Sequence, residues 1–90
     1  QAYIFFPGGF GTMDELCEFA EMIQTKKMQR VPVVLVGKAF WNGYLAWVKQ
    51  EMLEADPPTI DRKDLDIFSV VDSAKEAFAI VKTTKERPYF

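Results

Sequence analysis

Pro7-Gly8-Gly9-Phe10-Gly11-Thr12-Met13-Asp14-Glu15 is the stretch whose reading decides the fold. It follows residues 2–6, an apolar run with the length and aromatic content of a buried strand. A proline and three glycines are costly inside a regular element, so residues 7–11 are expected to form a turn. Thr12 and Glu15 then make a T-x-x-E capping box, with Thr12 at N-cap and Glu15 at N3. Met13, Leu16, Cys17, Ala20 and Ile23 recur at helical spacing and predict one buried stripe. Lys26 and Lys27 fall in the last turn, where cations complement the helix dipole. The local order is strand, glycine-rich turn, helix.

Downstream the same order repeats. Residues 31–36 (VPVVLV) are nearly all β-branched, as in a parallel strand covered on both faces, with Pro32 near the start and Gly37 at the end. A second helix is expected over 41–53, burying Trp41, Tyr44, Leu45, Val48 and Met52, and Asp56-Pro57-Pro58 stops it. Residues 59–65 read as loop or a short helical turn, and 67–71 as a third strand. Asp72 or Ser73 caps a last helix, Ser73 and Glu76 forming an S-x-x-E box, with Ala74, Ala77, Phe78 and Val81 inward. Residues 83–90 are expected to be a polar, flexible tail. The order β-α-β-α-β-α predicts an α/β fold, a Rossmann-like parallel sheet with flanking helices. Three strands are few for that architecture and leave an edge open. The chain also opens with Gln-Ala-Tyr rather than Met. The expectation is that residues 1–90 are the C-terminal part of a single, larger doubly wound domain.

Composition bounds the function. The chain is 49% hydrophobic and 27% charged, which is a globular composition. With a net charge of −2 and no basic block beyond Lys26–Lys27, it lacks the concentrated positive face that nucleic acid requires. A single cysteine, Cys17, rules out an internal disulfide and fits a reducing, cytoplasmic compartment. No apolar run approaches the ~20 residues that span a bilayer. Without histidine there is no Ser-His-Asp or Cys-His chemistry within the chain, and no His-based metal site.

The glycine-rich turn suits an anion. It ends at a helix N-terminus, where free N–H groups, expected at residues 12–15, and the dipole both favour negative charge. It also lies outside the carboxyl ends of the strands, where open α/β sheets bind ligands. Glycine-rich turns also join strands to helices without any ligand, and T-x-x-E alone is a common cap. The string lacks the GxGxxG spacing of a dinucleotide loop and the Gly-Lys-Ser/Thr ending of a P-loop.

The string does resemble the PGGxGTxxE motif of the LOG family, the cytokinin riboside 5′-monophosphate phosphoribohydrolases, and of bacterial relatives that cleave AMP. Pro7, Gly8, Gly9, Gly11, Thr12 and Glu15 match every defined position. Leu16, VPVVLVG at 31–37, Phe40-Trp41 and DLDIFSVVDS at 64–73 are similar to the longer bacterial branch, so the likeness covers about residues 2–81. The resemblance implies an enzyme that hydrolyses the N-glycosidic bond of a nucleoside 5′-monophosphate to free base and ribose 5-phosphate. It implies Glu15 as the catalytic carboxylate, and Gly8, Gly9, Phe10, Gly11, Thr12 and Asp14 as the residues that hold phosphate and ribose. It implies no metal or other cofactor, a cytoplasmic homodimer or larger homo-oligomer, and cytokinin production or nucleotide salvage as the setting. The family's upstream arginine and first glycine-rich turn have no counterpart here. Arg30, Arg62 and Arg87 lie downstream and match no motif, so half a site is expected and the isolated chain is expected to be inactive. The alternative is a non-catalytic nucleotide-binding or carrier module.

Family members have also been labelled lysine decarboxylases. That chemistry needs pyridoxal phosphate on a lysine in a Gly/Ser-rich setting, which the sequence does not offer. Cys17 reads as core packing rather than a reactive thiol, having no base partner. Trp41 and Tyr44 read as core, and Trp47 as lying off that face. Asp14, Glu18 and Glu21 read as a solvated helix face rather than a metal site. Lys38 follows Gly37 at the functional end of a strand, with no motif to assign it.

Overall fold

A computed structural model describes residues 2–85. Its elements run β1 (Tyr3–Phe5), α1 (Phe10–Gln24), β2 (Val33–Val36), α2 (Lys38–Val48), β3 (Phe68–Val71) and α3 (Ala74–Lys85). A π-helical turn, Lys49–Leu53, prolongs α2, and a 3-10 turn, Arg62–Ile67, leads into β3. The three strands form one parallel sheet in the order β1-β2-β3. Tyr3 pairs with Val33 on one side of β2, and Phe68 pairs with Val33 on the other. The α/β architecture expected from the sequence is therefore present, consistent with a Rossmann-like fold.

The alternation of β2 sorts the helices into layers. Val33 and Leu35 join Phe5, Leu16, Ile23 and Trp41 in one core cluster, which places α1 and α2 on that face. Val34 and Val36 turn the other way and pack with Val71 and Ala77, which places α3 opposite. Because both faces are covered, every residue of β2 is buried. Each such side chain contributes roughly 1.5–3 kcal/mol of transfer free energy. Trp41 has 0% of its surface exposed, packed edge-on against Phe40 and Tyr44.

Several expected boundaries move. The first helix starts at Phe10 with Gly9 at N-cap, so the turn is shorter than 7–11 and takes in only residues up to Gly9. Thr12 is therefore the third helical residue and not the cap, and no side chain caps this terminus. That helix also ends sooner than expected. Lys26 and Lys27 lie past it, with Lys26 in the left-handed region at φ 61°. The Lys27 N–H donates to Met22 O and the Lys26 N–H to Ile23 O, the Schellman pattern, so these residues close the helix through their backbone. The second helix starts three residues early, at Lys38, because Gly37 takes φ 108° and serves as its N-cap.

Three inward assignments also fail. Cys17 is exposed, because the sheet lies under the Leu16 and Ile23 edge of the stripe. Phe78 is 62% exposed and Ala74 is exposed too, while Ala77 and Ile80 hold the contact with the sheet. The expected tail divides: helix α3 extends to Lys85, and residues 86–90 lie outside the described residues. Residues 62–67 are a 3-10 turn with a capping box between Asp61 and Asp64, so β3 begins at Phe68 rather than 67.

Candidate functional site

All three strands point their carboxyl ends to one edge, and each is followed there by a loop and a helix N-terminus. Two of those termini are already occupied by side chains. At α2, Asp72 Oδ1 accepts the Lys38 N–H at 2.9 Å. At α3, Ser73 Oγ accepts the Glu76 N–H at 3.1 Å, and Glu76 Oε1 accepts the Ser73 hydroxyl at 3.2 Å and the Asp72 N–H at 3.0 Å. The S-x-x-E box read at 73–76 is thus formed, with the glutamate reaching back one residue further than in the standard box. Among the described residues, no side-chain hydrogen bond caps the start of α1.

The first hydrogen bond of α1 runs from the Met13 N–H to Gly9 O at 3.1 Å. The amides of Phe10, Gly11 and Thr12 are then the ones without an intrahelical acceptor. This moves the expected anion-binding amides upstream from residues 12–15, because the helix starts earlier than the capping pattern implied. The dipole's positive end lies at the same place.

The glycines of the loop differ in their reasons. A Cβ at Gly8 would overlap Thr12 Oγ1 and lie 2.9 Å from Thr12 Cβ, so Gly8 is required by the protein's own packing. Gly9 and Gly11 have open space where a Cβ would stand, with nothing within 4 Å. The fold does not need them bare, whereas an approaching anion would. Phe10 projects into solvent, 96% exposed.

Glu15 is exposed and its carboxylate makes no cap hydrogen bond. The capping role read from T-x-x-E is not taken up, because the helix starts too early for Glu15 to reach its N-cap. It stands three residues after Thr12 and four after Gly11, on the same helix face as both. The rise of the helix places its Cα about 5 Å along the axis from those residues. Asp14 is exposed on the adjoining face. The structure thus brings Gly8, Gly9, Phe10, Gly11, Thr12 and Glu15 together on the loop and first turns of α1.

Gly37 and Asp72 belong to the surroundings of this loop, and sequence reasoning gave neither a part in it. Their signal was faint: a glycine closing a strand, and an acid just before an S-x-x-E box. A Cβ on Gly37 would lie 3.3 Å from Pro7 Cγ, so the second strand's loop abuts the glycine-rich one. Lys38, exposed at the first residue of α2, stands directly beside that contact.

The other residues weighed from sequence fall elsewhere. Trp41 is sealed in the core, and its Nε1 has no partner among the described residues, so it offers no ring to a base. Trp47 is 53% exposed, off the buried face as expected. Asp14, Glu18 and Glu21 are exposed, and no group of acidic or thiol ligands able to hold a metal occurs among the described residues. An apolar groove lies between α1, α2 and the 3-10 turn, lined by Cys17, Tyr44, Met52, Ile60 and Phe68, and it shares no residue with the glycine-rich loop. There Cys17 Sγ sits 3.7 Å from Tyr44 Oη. Burial, and then the thiol, push the Tyr44 phenol above its ordinary pKa. No helix of the described residues is long and apolar enough to cross a membrane.

A family model described as "Possible lysine decarboxylase" matches residues 1–81. No curated protein matches the chain.

Proposed function

The chain belongs to the LOG-type family described as possible lysine decarboxylase, and we propose that it carries the phosphate cradle and the catalytic glutamate of a nucleoside 5′-monophosphate phosphoribohydrolase. The observation that supports this reading best is an α1 N-terminus at the carboxyl edge that no side chain caps among the described residues, with the exposed Glu15 carboxylate one turn along the same face. The phosphate sits on the amides of Phe10, Gly11 and Thr12, with the Thr12 hydroxyl as a further donor. The ribose extends along α1, which brings its anomeric carbon towards Glu15. As the N-glycosidic bond breaks, its electron pair leaves with the base and positive charge builds on the sugar ring. The Glu15 carboxylate stabilises that charge and takes a proton from the water that adds to the anomeric carbon. The base is released protonated from solvent, and ribose 5-phosphate remains.

The decarboxylase in the family's description would imply pyridoxal phosphate, and the residues present do not fit it. Lys38, at the first residue of α2, is exposed, and the carboxylate beside it, Asp72, is committed to the α2 amide rather than free for a pyridinium nitrogen. No step is drawn through that cofactor.

The test is release of adenine from AMP, followed by chromatography, in the full-length protein that contains this chain. Glu15→Gln is expected to lower turnover by about 10²–10⁴-fold, the range of a general acid–base group, while AMP still binds. Binding of AMP and of other monophosphates without release from any of them would leave a non-catalytic nucleotide-binding module.

A further inference from the structure

Asp72 lies outside the glycine-rich loop, yet it stands at the far end of a chain of contacts that begins there. Its Oδ1 accepts the Lys38 N–H at 2.9 Å, and the neighbouring Val71 O accepts the Gly37 N–H at 2.7 Å. The start of α2 is therefore tied to the β3–α3 corner by two consecutive amides. Asp72 is held in turn from the α3 side, since its own N–H donates to Glu76 Oε1. Gly37, at φ 108°, turns its bare side to Pro7, the first residue of the glycine-rich loop. The Pro7 ring fixes its own φ, and Gly8 next to it is packed against Thr12. Displacement at Lys38 has a short, stiff route to Gly8.

We propose that Asp72 is a positioning residue for the glycine-rich loop: it anchors Gly37 and Lys38, and so fixes the surface on which Pro7 rests and the aim of the amides that follow. This rests on the reading of that loop as the phosphate cradle. Asp72 touches no substrate. Its carboxylate also occupies the positive end of α2, which leaves the α1 terminus as the place for an anion. Asparagine at this position keeps an Oδ1 acceptor for the Lys38 amide, whereas alanine removes it.

The experiment compares amide resonances of the isotopically labelled full-length protein in wild type, Asp72→Ala, Asp72→Asn, Pro7→Ala and the Pro7→Ala/Asp72→Ala double variant, with AMP turnover measured in parallel. Asp72→Ala is expected to move the Gly8 and Gly9 amides as well as Lys38, and Asp72→Asn to leave Gly8 and Gly9 close to wild type. In the Pro7→Ala background the relay is cut, so Asp72→Ala should move Lys38 alone. Turnover should follow the loop, with kcat/KM down about tenfold in Asp72→Ala, since a small misplacement at a reacting centre is costly. Where Asp72→Ala does not fold, Asp72→Ser shortens the side chain in the same sense and gives the same comparison. Lys38 moving while Gly8 and Gly9 stay still would overturn the proposal. So would an effect on Gly8 and Gly9 that survives Pro7→Ala. If wild type hydrolyses no monophosphate, the phosphoribohydrolase reading falls, and the amide shifts still decide whether Asp72 sets the loop.

Discussion

At the scale of single residues, the glycines of one short loop answer to different constraints. Gly8 is bare because Thr12 occupies the space of its Cβ, and Gly11 is bare with nothing nearby to require it. The two should respond oppositely to a methyl group. Gly8→Ala is expected to destabilise the protein by about 1–3 kcal/mol, as overpacking does. Gly11→Ala, in the first turn of α1, is expected to raise stability by about 0.5 kcal/mol through the unfolded state while weakening AMP binding. Thermal melts with and without AMP read both effects, and a Gly11→Ala that binds AMP as well as wild type would remove this residue from the phosphate cradle. The identity of these residues was legible in the string PGGFGT. Which glycine serves packing and which faces open space was not, because that depends on where the Thr12 side chain goes.

At the scale of elements, the two cap patterns in the sequence had different fates. S-x-x-E at 73–76 forms its cap at α3, while T-x-x-E at 12–15 forms none, because the N-cap of α1 lies three residues earlier, at Gly9. The two changes should therefore separate. Ser73→Ala is expected to cost about 1 kcal/mol, as loss of a cap does. Glu15→Gln, having no cap bond to lose, should leave the unfolding midpoint in urea unchanged. An equal drop in both would show Glu15 to be a structural cap after all. Local pattern rules rank possible caps but cannot weigh them against a glycine at N-cap, whose cost depends on the turn the tertiary fold demands.

At the scale of the whole molecule, α1 and α2 share a face of the sheet, and Tyr44 reaches across it towards Cys17. Its phenol is raised above the ordinary value, so the folded state holds that proton more tightly than the unfolded chain does. The associated stability is fully present below about pH 10, the unfolded value, and is lost progressively as pH rises beyond it. Urea midpoints measured across that range should fall in wild type and fall less in Tyr44→Phe; parallel curves would assign the alkaline loss to other groups. The sequence by itself determined the strand–helix alternation, the parallel sheet and the glycine-rich turn at a helix start, because apolar periodicity and glycine placement are local signals that survive without neighbours. The layering of the helices was decided only in three dimensions: β2 is buried on both faces, so its apolar run does not say which residues meet α3 or that Phe78 and Cys17 turn outward. The same holds for the site's surroundings. Asp72 and Gly37 stand far from Pro7 in the chain, and only the parallel pairing of three strands brings their carboxyl ends, and the loops that follow, to one edge.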